Sequence, residues 1–160
     1  MATTTRLVAV STADDPRVEE ARSLLLEYVE SLGVDLSFQN VDAEVSDFPA
    51  GYLPPGGALL LAVHDDSPAG GVAMRRLDAQ ICEMKRLYVR PAFRGLGIGR
   101  ELALAIIDTA RDLGYGRMRL DTLPSMHDAQ RMYRALGFRD IDAYYESPVP
   151  GTRYMELDLR

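Results

Sequence analysis

The sequence predicts a mixed α/β (α+β) fold, with a central sheet of about seven strands and helices on both faces. Apolar runs of strand length alternate along the chain with segments of helical periodicity. A glycine-rich turn joins one strand to a helix, and the strand-helix-strand order there implies a parallel pair. With 160 residues, 47% of them hydrophobic, the chain can bury one core without disulfides or a structural metal. We therefore expect a single domain over residues 5–160.

Strands are predicted where apolar or alternating runs lie between turn residues. The run 58–64 is nearly all apolar, so both of its faces should be covered. Asp65–Gly70 should turn the chain back into the next strand as a hairpin, and the short connection 78–80 makes the strand after that antiparallel. In chain order, the predicted strands are 7–10, 58–64, 71–77, 81–89, 117–122, 138–141 and 154–159.

Helices are predicted from capping residues and from apolar residues that recur on one face. Asp15 caps the first helix, which has Pro16 at its first position and ends at Gly33. Ser125 and Asp128 are spaced as the capping box of the last helix. In chain order, the predicted helices are 16–32, the weakly periodic segment 36–48, 98–113 and a last helix that starts within 124–128 and ends at 136.

Composition and charge argue against several classes of protein. A single cysteine, Cys82, rules out an internal disulfide framework and a cysteine-based zinc site, and it favours a reducing compartment. The net charge of −6 argues against a nucleic-acid backbone as the main partner. The first residues lack the apolar core of a signal peptide, and no apolar run approaches the roughly 18 residues of a membrane span. We expect a cytoplasmic protein that binds neither nucleic acid, nor membrane, nor metal.

The most informative stretch is the turn at 94–99, which follows Leu-Tyr-Val-Arg-Pro and precedes a helix. Its three glycines can adopt positive φ, so backbone N–H groups and a helix N-terminus can approach an anion together. A Walker-type ATP site would need Lys and Ser/Thr where Arg100 and Glu101 stand. A dinucleotide-binding motif would need a glycine at position 100 and a strand running directly into the first glycine. Neither requirement is met.

The turn has the pattern Arg-x-x-Gly-x-Gly, and with the residues before it resembles the acetyl-CoA pyrophosphate loop of the GNAT superfamily of N-acetyltransferases. Two later motifs strengthen the resemblance. One is Leu120-Asp121-Thr122, and the other is the segment 129–138, which is similar to the family's Ala-x-x-x-Tyr-x-x-x-Gly-Phe helix. The match covers about the second half of the chain, from Ile81 to Leu159, and the first half matches in the order of its elements.

The resemblance implies that acetyl-CoA is the co-substrate, held by the turn and by two backbone amides of the preceding strand. The residues implied are Leu87, Val89, Arg94, Gly95, Leu96, Gly97, Ile98, Gly99 and Arg100. Leu87 and Val89 would take part through the backbone alone, because their side chains are typical of a core. Met126 stands where family members often carry Asn, so the resemblance supports no cofactor contact from that side chain.

The resemblance also implies that Tyr133 protonates the thiolate that leaves after acetyl transfer. A phenol with an unperturbed pKa of about 10 is protonated at neutral pH and can therefore act as an acid. A packing role is equally concrete, because Gly137 as the C′ residue would pair Tyr133 with Phe138 in a Schellman motif. The two roles are compatible with each other.

The general base has two candidates. Glu83 matches the position of the glutamate that some GNAT members use, and a carboxylate half-buried in a strand could accept the ammonium proton through a water molecule. Glu83 could instead form an ion pair with Lys85 or Arg86 on the sheet surface. Asp121 competes for the role of base, because ligands collect at the carboxyl ends of parallel strands.

The sequence leaves the acceptor open. The leading expectation is direct acetylation of the primary amine of a small molecule or an amino acid, with Tyr144, Tyr145 and Tyr154 as candidate pocket walls. Acetylation of a protein or peptide is the first alternative, and a non-catalytic acetyl-CoA-binding module is the second. Tyr28 and Glu27 are interpreted as a packed aromatic residue and a solvated acid. A homodimer is left open.

Overall fold

The computed structural model describes residues 4–33 and 41–160 of the chain. In these residues seven strands form one sheet in the order β1-β2-β3-β4-β5-β7-β6. The β4–β5 pair is parallel and the other pairs are antiparallel, which confirms the predicted mixed sheet. The elements are β1 (Thr5–Ala9), α1 (Val18–Leu32), α2 (Val41–Asp47), β2 (Ala58–His64), β3 (Ser67–Arg76), β4 (Ile81–Val89), a 3₁₀ turn (Pro91–Phe93), α3 (Ile98–Asp112), β5 (Arg117–Thr122), α4 (His127–Ala135), β6 (Arg139–Ile141) and β7 (Arg153–Asp158).

Helices cover both faces of the sheet, as predicted. One apolar cluster joins α3 to the sheet, with Leu102 and Ile106 completely buried. A second cluster joins α1 to the opposite face, where Leu24 and Leu25 pack with Leu61. Among the described residues, no helix is both long enough and apolar enough to cross a membrane.

The first helix begins two residues later than predicted. Asp15 organises the turn before it, since its carboxylate accepts a hydrogen bond from the N–H of Arg17 and its carbonyl accepts one from Val18. Helix α1 therefore starts at Val18, and Pro16 lies outside it. The predicted end is confirmed, because Gly33 follows the helix with a left-handed φ of 65°. Of the weakly periodic segment 36–48, residues 36–40 lie outside the described residues, and α2 starts at 41.

The hairpin between β2 and β3 is tighter than predicted. Asp65 and Asp66 both have positive φ, 48° and 66°, and alone make the turn. A two-residue turn of this kind matches the twist of the strands that it joins. The residues from Ser67 to Gly70 therefore belong to β3, and the prediction of a turn over 65–70 was wrong.

The last helix starts at His127, within the predicted range, but without the predicted cap. Met126 is its N-cap residue and gives no side-chain cap, so the predicted capping box of Ser125 and Asp128 does not form. At the other end the Schellman motif is confirmed, with the N–H of Phe138 donating to the carbonyl of Tyr133 at 3.0 Å. Gly137 has a φ of 106°, which a side chain would strain.

Strand β4 separates from β5 partway along its length. The parallel pairing ends at Glu83 and Arg119, whereas β4 continues to Val89. A bulge against β3 lies in the same stretch, and Arg86 within it has a φ of 60°, rare for a residue other than glycine. We call the space beside residues 84–89 of β4 the β4–β5 gap. The backbone of β4 is thereby open to a ligand on one edge.

Candidate functional site

A cleft of about 700 Å³ lies against the open part of β4. Its walls come from β4, the glycine turn, the beginnings of α3 and α4, and the end of α1. The lining residues are Tyr28, Ser31, Leu32, Leu87, Tyr88, Val89, Phe93, Arg94, Gly95, Gly97, Ile98, Gly99, Arg100, Ser125, Met126, His127, Asp128, Ala129 and Met132. Local sequence elements that are far apart in the chain thus form one concave surface.

The glycine turn forms one end of this cleft. Gly95 and Gly97 have φ of 84° and 80°, so the backbone takes a path that other residues rarely adopt. Gly97 is the N-cap of α3, and the first helical hydrogen bond runs from Glu101 N–H to the Gly97 carbonyl. The N–H groups of residues 98–100 therefore have no partner within the helix. They and the helix dipole make this end of the cleft suitable for an anion.

Of the residues predicted to bind acetyl-CoA, all except Leu96 line the cleft. Leu96 is 54% exposed to solvent. Arg94 is held in place by the strand before it, because its Nε donates to the Val89 carbonyl at 3.0 Å and its guanidinium lies over the Tyr88 ring. This contact keeps a positive charge beside the turn.

The amide of Val89 faces the β4–β5 gap. The N–H of Arg90 bonds to Ala69 of β3 at 2.8 Å, and successive N–H groups of a strand point to opposite edges. The N–H group of Val89 therefore points away from β3, towards the place that β5 has left. Leu87 lies at the bulge beside the same gap, and it lines the cleft.

Tyr133 is buried at the inner end of the cleft. It lines a cavity of about 60 Å³, the inner cavity, which shares Tyr28, Leu87, Met126 and Ala129 with the cleft. Its ring makes an edge contact with Phe138, and among the described residues no group accepts a hydrogen bond from its hydroxyl. Burial raises the pKa of Tyr133 above the ordinary value, so the phenol is protonated throughout the physiological range.

Glu83 is the last residue of β4 that pairs with β5, and its side chain is fully buried. Its carboxylate accepts a hydrogen bond from Arg75 Nε at 2.8 Å and another from the Tyr144 hydroxyl at 2.6 Å. The sequence-based alternative of an ion pair is correct in part, because Lys85 lies within ion-pair distance of Glu83. The pair is buried and not on the sheet surface, and the closest cation is Arg75. Lys85 Nζ is 3.8 Å away.

Asp121, the rival base, lies at the end of β5 across the gap from β4. Its carboxylate accepts a hydrogen bond from the Tyr145 hydroxyl at 2.6 Å, and Lys85 Nζ lies 3.8 Å from it. Tyr144 and Tyr145 are consecutive residues, so one segment supplies a hydroxyl to each candidate base. Burial lowers the pKa of Lys85, although Asp121 opposes that shift.

Two cations in this region have contacts that the local sequence does not indicate. Lys85 lines the inner cavity, and Arg86 lines it too while pairing with Glu44 of α2. No local pattern marks either residue, since the pairing of Arg86 depends on a residue 42 positions earlier. Glu27 is a partly exposed acid, as interpreted, and it also forms an ion pair, with its Oε2 2.6 Å from Nη2 of Arg90.

The tyrosines singled out in the sequence lie in two places, at the cleft and in a cluster of their own. Tyr28 packs edge-on against Tyr88, as expected for a packed aromatic residue, and it also lines the cleft. Tyr144, Tyr145 and Tyr154 pack against one another with ring centroids 5.2 to 5.7 Å apart. They form one cluster over the sheet face that carries Glu83 and Asp121.

Comparison with known proteins gives a consistent result. The sequence model of the acetyltransferase (GNAT) family matches residues 21–138. An uncharacterized N-acetyltransferase of Schizosaccharomyces pombe is 39% identical over 155 residues, which cover 95% of each chain. N-acetylaspartate synthetase of Danio rerio is 30% identical over 135 residues, which cover 82% of this chain and 48% of that protein.

Solved structures share the fold. A GNAT-family acetyltransferase of Staphylococcus aureus has a TM-score of 0.79 at 21% identity, with 98% of this chain and 100% of that chain covered. A GNAT-family acetyltransferase of Elizabethkingia anophelis with acetyl-CoA bound has a TM-score of 0.67 at 21% identity, with 96% of this chain and 97% of that chain covered.

Proposed function

The chain belongs to the acetyltransferase (GNAT) family and is an acyltransferase, and we propose that it transfers the acetyl group of acetyl-CoA directly to the primary amine of a small molecule or amino acid. The observation that carries this proposal is the β4–β5 gap. It joins the anion-binding turn at one end of the cleft to an inner cavity lined by Tyr133 and Asp121. Glu83 is the last residue of β4 that pairs with β5, directly before the gap. A single extended ligand could therefore reach from the turn to the ionisable groups.

Acetyl-CoA fits the residues that line the cleft. Its diphosphate would lie on the N–H groups of residues 98–100, with Arg94 and Arg100 nearby as counter-charges. The amide-rich arm beyond the diphosphate would run along the open edge of β4, where the Val89 N–H points into the gap and Leu87 lines the cleft. The acetyl-CoA-bound Elizabethkingia structure, which has the same fold, supports this choice of co-substrate.

The chemistry follows from the thioester, which supplies an activated acetyl group and a thiolate leaving group. The amine nitrogen bonds to the acetyl carbon, the carbon–sulfur bond breaks, and the sulfur must take up a proton. We propose the backbone N–H of Leu87 as the group that stabilises the charge on the thioester oxygen, because Leu87 lines both the cleft and the inner cavity. The Tyr133 hydroxyl is suited to protonate the sulfur, because it is protonated and donates to no described group.

The proton that the acceptor ammonium loses needs a base. We propose Glu83, which accepts two hydrogen bonds and sits where the gap opens. The Tyr144 hydroxyl contacts Glu83 at 2.6 Å, so a proton could reach the carboxylate through that hydroxyl or through a water molecule. The Tyr145 hydroxyl donates to Asp121 in the same way, so Asp121 is the alternative base.

A protein or peptide acceptor is the second candidate. Against it stands the small volume of the inner cavity, about 60 Å³, which is lined by Tyr133 and both gap strands. The relationship to N-acetylaspartate synthetase, whose name indicates an amino-acid product, supports a small acceptor.

The proposed function is tested by the release of CoA thiol from acetyl-CoA in the presence of panels of amines, amino acids and peptides. We expect amine-dependent release, accompanied by a product that is heavier than the acceptor by one acetyl group. Binding of acetyl-CoA with no acceptor-dependent release in any panel would contradict the proposal. Faster release with peptides than with small acceptors would establish the second candidate.

A further inference from the structure

Lys85 is a buried cation whose hydrogen-bonding capacity is not used by the residues around it. Its side chain is 8% exposed. The ammonium lies 3.8 Å from a carboxylate oxygen of Glu83 and 3.8 Å from one of Asp121. Charge-assisted hydrogen bonds are about 2.7–2.9 Å long, so neither contact is one. Within residues 4–33 and 41–160, no other group accepts a hydrogen bond from Lys85.

Each of the two carboxylates beside Lys85 accepts hydrogen bonds from other donors. Glu83 is bonded by Arg75 and Tyr144, and Asp121 is bonded by Tyr145. An ammonium group has three N–H donors, and burying such a donor without an acceptor costs free energy. The Lys85 ammonium can therefore donate hydrogen bonds to an additional acceptor.

The place where that acceptor would lie is defined by the cavities. Lys85 lines the inner cavity together with Tyr133, and it lines a second cavity of about 30 Å³ with Tyr28 and Leu32. Leu87 lines the inner cavity too. Lys85 and the groups proposed for acetyl transfer thus line one small space.

We propose that Lys85 is the residue that selects an α-amino acid as acceptor, by binding its carboxylate while the α-amino group takes the acetyl group. This inference rests on the proposed function. Because Lys85 and Tyr133 share a cavity of about 60 Å³, the anionic group and the reacting nitrogen must be separated by few bonds. The carboxylate and amine of an α-amino acid meet that condition. A peptide N-terminus carries an amide at that position, and a simple amine carries no anion.

Arg86 cannot take the same role without losing its existing partner. Its guanidinium already binds both carboxylate oxygens of Glu44, at 3.0 and 2.9 Å. Lys85 is therefore the cation of the inner cavity that can bind a new anionic ligand without giving up an existing hydrogen bond.

The test uses matched acceptors that differ only in the carboxylate. Each set contains an amino acid, its carboxamide and the corresponding decarboxylated amine, for small, large apolar and acidic side chains. With the parent enzyme, we expect kcat/KM for the best amino acid to exceed that for its amide and its amine by about 10- to 100-fold, the range of a hydrogen bond to a charged group. Equal or better use of the amides or amines would overturn the proposal.

The variant Lys85→Met keeps most of the length of the side chain and removes its charge. We expect it to lower kcat/KM for the amino acid, chiefly through KM, by about 10- to 100-fold more than it lowers kcat/KM for the matched amine. Arg117→Met is the control, since Arg117 is a cation of β5 that is absent from the lining of both cavities. It should retain the discrimination of the parent.

The remaining outcomes are distinguishable. Equal losses for amino acid and amine in Lys85→Met would mean that Lys85 supports the fold or the thioester oxygen, which would overturn the specificity role. If Lys85→Met does not fold, as judged by its thermal transition, the matched acceptors with the parent enzyme decide alone. No turnover of any acceptor would reject the proposed function itself. Turnover of amines in preference to amino acids would reject only the role of Lys85.

Discussion

The guanidinium of Arg86 holds the carboxylate of Glu44 in a bidentate pair, with Nε to Oε2 at 3.0 Å and Nη2 to Oε1 at 2.9 Å. The two side chains are 8% and 15% exposed. Arg86 has a φ of 60°, and the bulge that contains it lies beside the β4–β5 gap. The pair therefore ties α2 to the part of β4 that borders the candidate site.

Replacing Glu44 with alanine should lower the free energy of unfolding by about 3–5 kcal/mol, because it leaves a largely buried guanidinium without its partner. Asp47→Ala is the matched control, since Asp47 is an exposed acid of the same helix, and it should change the stability by less than about 0.5 kcal/mol. Urea denaturation measures both. Equal effects of the two substitutions would show that the pair contributes nothing specific.

The same pair should give stability a pH dependence. Burial alone would raise the pKa of Glu44, but the hydrogen bonds and charge of Arg86 outweigh it and lower that pKa. A lowered folded-state pKa gives stability that is present above the unfolded value of about 4.3 and is lost as the pH falls through the folded value. The stability difference between the parent and Glu44→Gln should therefore shrink between neutral pH and pH values below about 4. A difference that is constant with pH would contradict this.

The glycine turn should be essential for acetyl-CoA and not for folding. Gly97 and Gly114 lie at opposite ends of α3, both have positive φ, and an added Cβ would meet no atom within 4 Å at either position. Valine at either site should therefore cost similar backbone strain, on the order of 1–3 kcal/mol. We expect Gly97→Val to remove the thermal stabilisation by acetyl-CoA and Gly114→Val to keep it. Retained stabilisation in Gly97→Val would mean that the diphosphate binds elsewhere.

Local sequence signals predicted much of the fold. The strands 58–64, 81–89 and 117–122 were predicted with their exact bounds, because apolar runs end at turn residues there. The parallel pair around the glycine turn followed from element order. The start of α1 and the capping box at Ser125 were wrong, because several capping geometries compete within two or three residues of a helix start.

The side chains around the proposed base could not be predicted in the same way. The hydrogen bond from Tyr144 to Glu83 joins residues 61 positions apart, and the position of Lys85 between two carboxylates requires β4 and β5 to be placed first. Hydrophobic periodicity shows which face of a strand is buried, but it does not show which distant polar residue contacts that face. The sequence therefore indicated which residue types take part, and the fold determines their partners.

The choice between the two candidate bases can be made by isosteric substitution. If Glu83 takes the ammonium proton, Glu83→Gln should lower kcat by about 10²–10⁴, the usual contribution of a general base. Asp121→Asn should then lower it by less than about tenfold, since Asp121 would act only as a neighbour. Steady-state kinetics at saturating acetyl-CoA measures both. The reverse order of effects would assign the base to Asp121.

Direct transfer requires that Cys82 take no part. The thiol is fully buried and contacts the Arg117 carbonyl, and burial raises the pKa of Cys82 to about 12. We expect the native protein to resist alkylation by iodoacetamide at pH 8 and Cys82→Ala to remain active. Its raised pKa also means that stability is fully present below the unfolded value of about 8.5 and declines towards pH 12. An acetylated Cys82 recovered from a quenched reaction would contradict direct transfer.

The central claim, that the cleft performs acetyl transfer with Tyr133 as the acid, is tested most directly by kcat of Tyr133→Phe, measured beside Tyr115→Phe. Tyr115 is also a buried tyrosine, but its hydroxyl donates to the Gly56 carbonyl at 2.6 Å, whereas that of Tyr133 donates to no described group. Tyr115→Phe should therefore lose about 1 kcal/mol of stability and keep its kcat. Tyr133→Phe should keep its stability and its affinity for acetyl-CoA, while kcat falls by about 10²–10⁴. A kcat of Tyr133→Phe within a few-fold of the parent would contradict the claim.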